Sequence, residues 1–343
     1  MAISKIPSAG FQDNVKFRNI IINGDMSQSQ RGTSFSSQTA EHFVVDRFKM
    51  FVNGAMGTWT TSQSTTVPTG QGFAKSLKMD CTTADASPAS TDILSVQQRF
   101  EGQNLQYLKK GTSSAESLTA SFWVRSNKTG TYIAELEDRD NTRYVSQSYT
   151  ISSADTWEKK TVTFPGDTSG AFTNDNGESL RLNFWLGGGA TWTSGTLGTT
   201  WHTTSANRAV GQVNLADSTS NEWYITGVQL EAGSVASDFE FLPADVSLER
   251  CNRYFQIIDA EYFVVARWNN DTGAAIAQLT FPKTMRAAPT ITFPGTWSTG
   301  SGYAGTPTAN NIQPKCFAVT GADIGANQIE YAHSGNFQMD AEL

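Results

Sequence analysis

An apolar residue at every second position is the feature that most restricts the fold of this chain. In LTASFWVRS every second residue is apolar, and LRLNFWLGGG repeats the pattern. Side chains of a β-strand point alternately to its two faces, so each segment predicts a strand that buries one face. The buried sets are Leu118, Ala120, Phe122 and Val124 in the first segment, and Leu180, Leu182, Phe184 and Leu186 in the second.

Roughly nine such segments follow one another at intervals of about 10–15 residues, without a long helical period. This spacing predicts an all-β protein built as a two-sheet antiparallel sandwich. Alternation alone fits both a jelly roll and an up-and-down barrel. The long connections favour the jelly roll.

One strand breaks the alternation. In NEWYITGVQLEA, Trp223 and Ile225 share one parity, whereas Val228 and Leu230 share the other, and the change falls at Gly227. A β-bulge at a glycine shifts the phase by one residue. We therefore expect all four apolar residues to face one core.

The segments divide the chain into four parts. Residues 1–17 have no period and predict an N-terminal arm. Residues 18–243 form the jelly-roll domain, whose first strand is the run Ile20 to Ile22. Residues 244–255 predict a linker helix with Leu248, Cys251 and Phe255 on its apolar side. Residues 256–343 predict a small C-terminal β domain. Its apolar core would be marginal alone, and burial of this domain between subunits would stabilise it.

The composition argues against several classes of function. A net charge of −7 and the lack of Lys/Arg runs argue against nucleic-acid binding. No apolar run approaches the roughly 20 residues of a membrane helix. Many Ser, Thr, Gly and Asn residues are typical of an extracellular or virion protein. MAISKIPSAGFQDN lacks the apolar stretch of a signal peptide, so we expect synthesis in a host cytoplasm and release by lysis.

Catalytic motifs are missing from the sequence: there is no nucleophile elbow, zinc motif or phosphate-binding loop. A glycosidase would need two carboxylates across a cleft. The candidates by density are Glu135, Glu137, Asp138 and Asp140, which we interpret as the solvated end of a hairpin. An endoglycosidase or depolymerase acting on host polysaccharide therefore stays an alternative.

Four aromatic residues are candidates for glycan or receptor contact, because aromatic rings stack on the CH faces of sugars. Trp192 and Trp201 lie in the glycine-rich excursion 187–220, and Trp297 and Tyr303 lie in GTWSTGSGYAG, a predicted loop. The alternative is that all four pack on their own domain. Trp192 and Trp201 could also form a contact between subunits.

Several longer segments resemble bacteriophage and prophage tail-fibre-type proteins that carry a carbohydrate-binding-module-like jelly roll. They include NIIINGDMSQSQRG, QQRFEGQNL, LTASFWVRSNKTGTY, ADTWEKKTVTFPGDTSG and GQVNLADSTSNEWYITGVQLEAGSVASDFEFLP, and they cover about residues 18–255. FPKTMRAAPTIT resembles the β-tip domains that follow in this family. The resemblance implies a virion appendage, typically trimeric, whose C-terminal region varies with host.

The resemblance also implies partners and a metal. We expect a homotrimer, other phage tail proteins bound through the N-terminal arm, and a host surface glycan or protein as receptor. Jelly-roll sugar-binding modules often hold a structural calcium, here near Asp25 and Glu231. The preferred hypothesis is thus a non-catalytic tail-fibre protein for host attachment. A purely structural virion decoration or fibre-anchoring subunit is the alternative from another class.

Overall fold

The computed structural model describes residues 18–266, 275–299, 308–321 and 329–343. Its first part is a β-sandwich of twelve strands. These are β1 (Ser34–Gln38), β2 (His42–Val45), β3 (Phe48–Asn53), β4 (Thr58–Ser64), β5 (Ser76–Thr83), β6 (Ile93–Glu101), β7 (Leu118–Ser126), β8 (Gly130–Asp138), β9 (Arg143–Ile151), β10 (Glu158–Phe164), β11 (Glu178–Gly188) and β12 (Glu222–Ala232).

The twelve strands form two antiparallel sheets. The first sheet has the order β1-β4-β5-β12-β7-β10, and the second has the order β2-β3-β6-β11-β8-β9. The chain passes from one sheet to the other between β3 and β4 and at most later connections, which is the jelly-roll arrangement. The predicted all-β antiparallel sandwich is confirmed.

The core between the sheets follows the predicted alternation. Phe122 of β7 and Phe184 of β11 meet edge to face, with ring centroids 4.9 Å apart. The residues of both alternating segments that were predicted to be buried have at most 5% exposure. A single apolar cluster therefore connects the two sheets from end to end.

The phase change in β12 is a bulge, as predicted. The register of β12 against β7 shifts between Thr226 and Gln229, and Gly227 has a φ of 61°. Trp223, Ile225, Val228 and Leu230 are all fully buried in the core. The bulge favours glycine for two reasons. Glycine adopts a positive φ without strain, and any Cβ at this position would lie 2.5 Å from the Phe73 ring.

The run Ile20 to Ile22 is not a strand, contrary to the prediction. Ile20 N donates to Leu230 O, but the other backbone hydrogen bonds of this run are made with side chains. Asn19 Oδ1 accepts from the N–H groups of Ile21 and Leu230. Gln98 brackets Ile22 with bonds to its N–H (2.8 Å) and its carbonyl (2.9 Å). Two amide side chains thus replace a sheet ladder, which no hydrophobic pattern reveals.

Two α-helices are present in the described residues: α1 (Ala190–Thr193) and α2 (Ala244–Asn252). Neither has the length and hydropathy of a bilayer-spanning helix. α2 is shorter than the predicted 244–255, because Phe255 already begins the next strand. Cys251 is buried against Ile22 and Tyr254, whereas Leu248 is exposed.

The strands after α2 form two smaller antiparallel sheets. They are β13 (Phe255–Ala266), β14 (Ala275–Thr280), β15 (Thr290–Thr292), β16 (Gly295–Thr299), β17 (Thr308–Asn310), β18 (Cys316–Gly321) and β19 (Ile329–Asp340). β19 pairs with β13, β15 and β16, and β18 pairs with β14 and β17. We call this part the C-terminal β region; its own apolar cluster centres on Phe317, Phe337 and Met339.

Residues 340–343 return to the sandwich. Arg31 donates to Asp340 at 3.0 Å and also stacks on the ring of Phe255, at 3.6 Å. The buried carboxylate of Glu342 forms an ion pair with Arg47, whose side chain is also buried. These contacts, which we call the terminal clasp, connect the two parts of the chain through charges.

Candidate functional site

The outer face of the second sheet carries a layer of charged and polar side chains. The pattern that turns Leu182 and Phe184 into the core turns Arg181, Asn183 and Trp185 outward on β11. On the neighbouring strand β8, Glu137 lies opposite Arg181 and Glu135 lies opposite Asn183. Two central strands therefore place carboxylates, a guanidinium, an amide and an indole side by side.

Glu135 lies at the base of this layer and is fully buried. Arg208 binds it through two nitrogen atoms, with Nε at 2.7 Å and Nη2 at 2.9 Å. Asn183 Nδ2 and Trp185 Nε1 each donate to the same carboxylate at 3.0 Å. This carboxylate thus accepts four N–H hydrogen bonds, three at Oε2 and one at Oε1.

Glu137 is the second carboxylate of the layer. It accepts from Arg208 at 3.0 Å, from Asn183 at 3.2 Å, from Arg181 at 3.4 Å and from Arg139 at 2.5 Å. Burial alone would raise the pKa of Glu137, but the surrounding guanidinium groups outweigh it and lower the pKa to about 2. Glu137 is therefore ionised at neutral pH.

Arg208 comes from the excursion 187–220, which folds back over the sheet. Its guanidinium lies 4.0 Å from the ring centre of Tyr144 and 5.3 Å from that of Trp192. Ser146 Oγ donates to Arg208 O at 2.7 Å and fixes the backbone of the excursion on β9. The excursion thus forms a wall beside the charged layer instead of a free loop.

Between this wall and β3 lies an open cavity of about 260 Å³, which we call the outer cleft. Phe51 and Ile93 form its apolar side. Arg139, Arg181, Arg208 and Glu137 form its charged side. The side chain of Arg139 is 45% exposed, so its guanidinium is open to solvent at the cleft. Rigid strands and buried ion pairs hold the groups that line this cavity in place.

The carboxylates of AELEDRDN are not the solvated hairpin end that the sequence predicted. Glu135, Glu137 and Asp138 are buried on β8, and Asp138 forms an ion pair with the buried Lys110 at 2.5 Å. Only Asp140 lies beyond the strand, where it accepts from Thr173 N. The error arose because the excursion and its Arg208, about 70 residues further along the chain, cover the sheet.

Trp192 and Trp201 both pack against the sandwich. Trp192 Nε1 donates to Thr91 O at 3.2 Å, and its ring lies 6.3 Å from that of Trp185. Trp201 Nε1 donates to Pro165 O at 2.7 Å, and its side chain contacts the edge of the main core. Both are half-buried, and their role in glycan contact stays a prediction.

The two aromatic candidates near the C-terminal end differ in position. Trp297 lies in β16, which pairs with β19, and not in a loop as predicted. Tyr303 lies outside the described residues. A receptor contact through either residue stays a prediction.

Asp25 and Glu231 have separate sets of hydrogen-bond partners. Glu231 accepts from Ser237 and from Gln229 Nε2, all at 2.8 Å. Asp25 Oδ1 accepts from Ser27 Oγ at 3.0 Å. Within the described ranges, no three His, Cys, Asp or Glu side chains cluster in a way that could hold a metal ion. The calcium site stays a prediction.

A second cavity of about 270 Å³ lies where α2 meets the sandwich. Its carboxylate, Glu101, binds Arg253 at 2.7 and 2.6 Å and accepts from Tyr254 Oη at 2.6 Å. Arg253 and Tyr254 directly follow α2. This cluster joins the helix to the sandwich, and we therefore place the candidate site at the outer cleft.

Sequence reasoning missed the outer cleft, although one signal was present. Arg181, Asn183 and Trp185 occupy the outward positions of a long central strand, where a solvent-facing sheet would carry small polar residues. Glu135 and Glu137 show the same spacing on β8. Charged and aromatic residues at the outward positions of two neighbouring strands would have indicated a functional face.

No protein-family model matches the chain, and no curated protein matches it. Among solved structures, it is similar to a carbohydrate-binding module described as CBM4, with 11% identity over 61% of this chain and 97% of that one, at a TM-score of 0.30. TmCBM61 in complex with β-1,4-galactotriose has 9% identity over 63% and 99%, at a TM-score of 0.31.

The N-terminal cellulose-binding domain of β-1,4-glucanase C from Cellulomonas fimi is a third such structure. It has 10% identity over 62% of this chain and 95% of that one, at a TM-score of 0.30. With identities below 25% and TM-scores below 0.5, these likenesses identify neither a ligand nor a binding residue in this chain.

Proposed function

We propose that this protein binds glycans, without cleaving them, through the outer cleft. The proposal rests on the arrangement of side chains in the cleft. Guanidinium groups held by buried carboxylates face an opening whose other side is apolar and aromatic at Phe51. A sugar ring presents CH groups to an aromatic face and hydroxyl oxygens to N–H donors. The cleft offers both kinds of contact on a rigid sheet.

The same arrangement disfavours hydrolysis by this carboxylate pair. A glycosidase needs one carboxyl group that is protonated near neutral pH and can donate to the leaving oxygen. The pKa of Glu137 is lowered to about 2, and the buried Glu135 accepts four hydrogen bonds from N–H donors. The endoglycosidase alternative would therefore need other residues.

The biological setting belongs to the proposal as well. We infer a phage tail fibre or related virion appendage, assembled as a homotrimer and made in the host cytoplasm. The N-terminal arm would bind other tail proteins, and the fibre would attach to a host surface glycan. The resemblance over residues 18–255 and the Ser-, Thr- and Gly-rich composition support this setting. Trimeric and particle-level valency would multiply a weak affinity for each cleft.

A matched pair of variants tests glycan binding. We expect Phe51→Ala to lower affinity for the glycan selected on an array by about tenfold, because loss of one stacking face costs about 1–1.5 kcal/mol. The control is Phe35→Ala, which removes an equally half-buried phenylalanine from β1 in the other sheet. Equal affinity of Phe51→Ala and the parent protein would contradict the assignment of the site.

The structural alternative is a decoration or fibre-anchoring subunit without receptor contact. A competition experiment distinguishes the two hypotheses. If this alternative is right, soluble protein does not compete with phage particles for attachment to host cells. Light scattering of the full-length chain tests the assembly, since a monomer in solution would contradict a self-sufficient trimer.

A further inference from the structure

More positively than negatively charged side chains line the outer cleft. Three arginines reach the cavity, Arg139, Arg181 and Arg208, against one glutamate, Glu137. The second carboxylate, Glu135, lies behind them and is fully buried. The groups that a ligand meets are therefore mostly cationic, although the whole chain has a net charge of −7.

The carboxylates have little left to offer a ligand. Glu135 and Glu137 each accept four hydrogen bonds from protein side chains, three at Oε2 and one at Oε1. Both residues are buried, with 0% and 3% exposure, so little of either carboxylate is open to a sugar hydroxyl. The carboxylates thus hold the arginines in place and contribute little direct recognition.

The arginines keep donor capacity toward the opening. Arg139 uses Nη1 for Glu137, and its side chain is still 45% exposed. Arg181 uses Nε for Glu178 at 2.7 Å and Nη1 for Glu137. A guanidinium has five N–H groups in a planar fork that matches the paired oxygens of a carboxylate or sulfate.

We propose that the outer cleft selects acidic glycans, whose rings carry carboxylate or sulfate groups, over neutral ones. This inference rests on the proposed glycan-binding function and specifies its ligand class. The acidic group would bind to the exposed guanidinium of Arg139 and to Arg181, which lines the cleft beside it, while the apolar side at Phe51 and Ile93 contacts the sugar ring. The local cationic lining also explains how a protein of net negative charge can admit a polyanion.

The test uses full-length protein and pairs of saccharides that differ only in charge. The carboxylate pair is an oligogalacturonate and its methyl ester, and the sulfate pair is a sulfated galactan oligosaccharide and its desulfated form. An array supplies further acidic saccharides with their neutralised counterparts. We expect at least tenfold tighter binding of the acidic member in one of the two chemical classes, and a loss of this preference at high salt.

Two substitutions locate the effect. Arg139→Ala should lower the affinity for the acidic member by about tenfold and leave the neutral member unchanged, as expected for one charge-assisted contact. The control, Arg125→Ala, removes an arginine of the first sheet that pairs with Asp155 and Glu222. It should change neither affinity.

The outcomes separate the two proposals. Equal or tighter binding of the neutral members would overturn the acidic preference and keep glycan binding. Acidic preference that survives Arg139→Ala and is lost with Arg125→Ala would place the anion site elsewhere and overturn this assignment. Absence of binding to every saccharide of either kind would overturn the proposed function together with the inference.

Discussion

The interactions that stabilise the sandwich differ from those that attach the C-terminal β region to it. The sandwich has one apolar cluster that runs through both six-stranded sheets. The C-terminal β region has a much smaller cluster around Phe317 and Phe337. Its junction with the sandwich combines a small apolar cluster at Cys251 with the ion pairs of Arg47 with Glu342 and of Arg253 with Glu101. Apolar burial tolerates small losses, whereas a buried ion pair fails abruptly when one member is removed.

The largest effect should follow from breaking the terminal clasp. Glu342→Ala leaves the buried guanidinium of Arg47 without its carboxylate, and such a change costs about 3–5 kcal/mol. We expect hydrogen exchange to accelerate in β15 and β19 and to stay slow in β11 and β12. The control is Glu41→Ala, whose exposed pair with Lys49 is worth less than about 1 kcal/mol. Equal acceleration in both regions would refute the contrast.

Acid should weaken the sandwich through Glu137. Its pKa in the folded chain is about 2, below the usual value, so the unfolded chain binds more protons between these values. This contribution is complete above about pH 5, is lost as the pH falls toward 2, and amounts to about 3 kcal/mol. Glu137→Gln should flatten the pH dependence of the free energy of unfolding in this window. An unchanged slope would show that Glu137 does not carry the effect.

A smaller effect is expected from the bulge in β12. Gly227→Ala forces a φ of 61° on a residue with a Cβ and brings this atom to 2.5 Å from Phe73. We expect a loss of about 2 kcal/mol in urea unfolding, with unchanged exchange in the C-terminal β region. Gly70→Ala is the matched control, because its φ of 76° is similar but no atom lies within 4 Å of the added Cβ. An equal or larger loss at Gly70 would contradict the role of Phe73.

The sequence predicted what depends on local alternation. The strands around Phe122 and Phe184, the bulge at Gly227 and the burial of Cys251 all follow from the spacing of apolar residues. Three features did not follow: the non-strand course of Ile20 to Ile22, the burial of Glu135, and the position of Trp297 in a strand. The first two depend on Gln98 and Arg208, which lie 76 and 73 residues away along the chain.

The candidate site was missed for the same reason. A charged residue at an outward strand position looks solvated until a distant segment covers it, and here the excursion that carries Arg208 and Trp192 does so. The glycine-rich composition of residues 187–220 is typical of a loop that is either functional or mobile. The hydrogen bonds of its backbone to Tyr144 and Ser146 fix it on β9 instead.

The terminal clasp also bears on the order in which the protein can form. Arg31 and Asp340 are 309 residues apart, so their contact must wait until nearly all of the chain between them has left the ribosome. The outer cleft needs nothing beyond Arg208, and β12 completes the sandwich soon after. The outer cleft can therefore form on the nascent chain, whereas the junction with the C-terminal β region closes last.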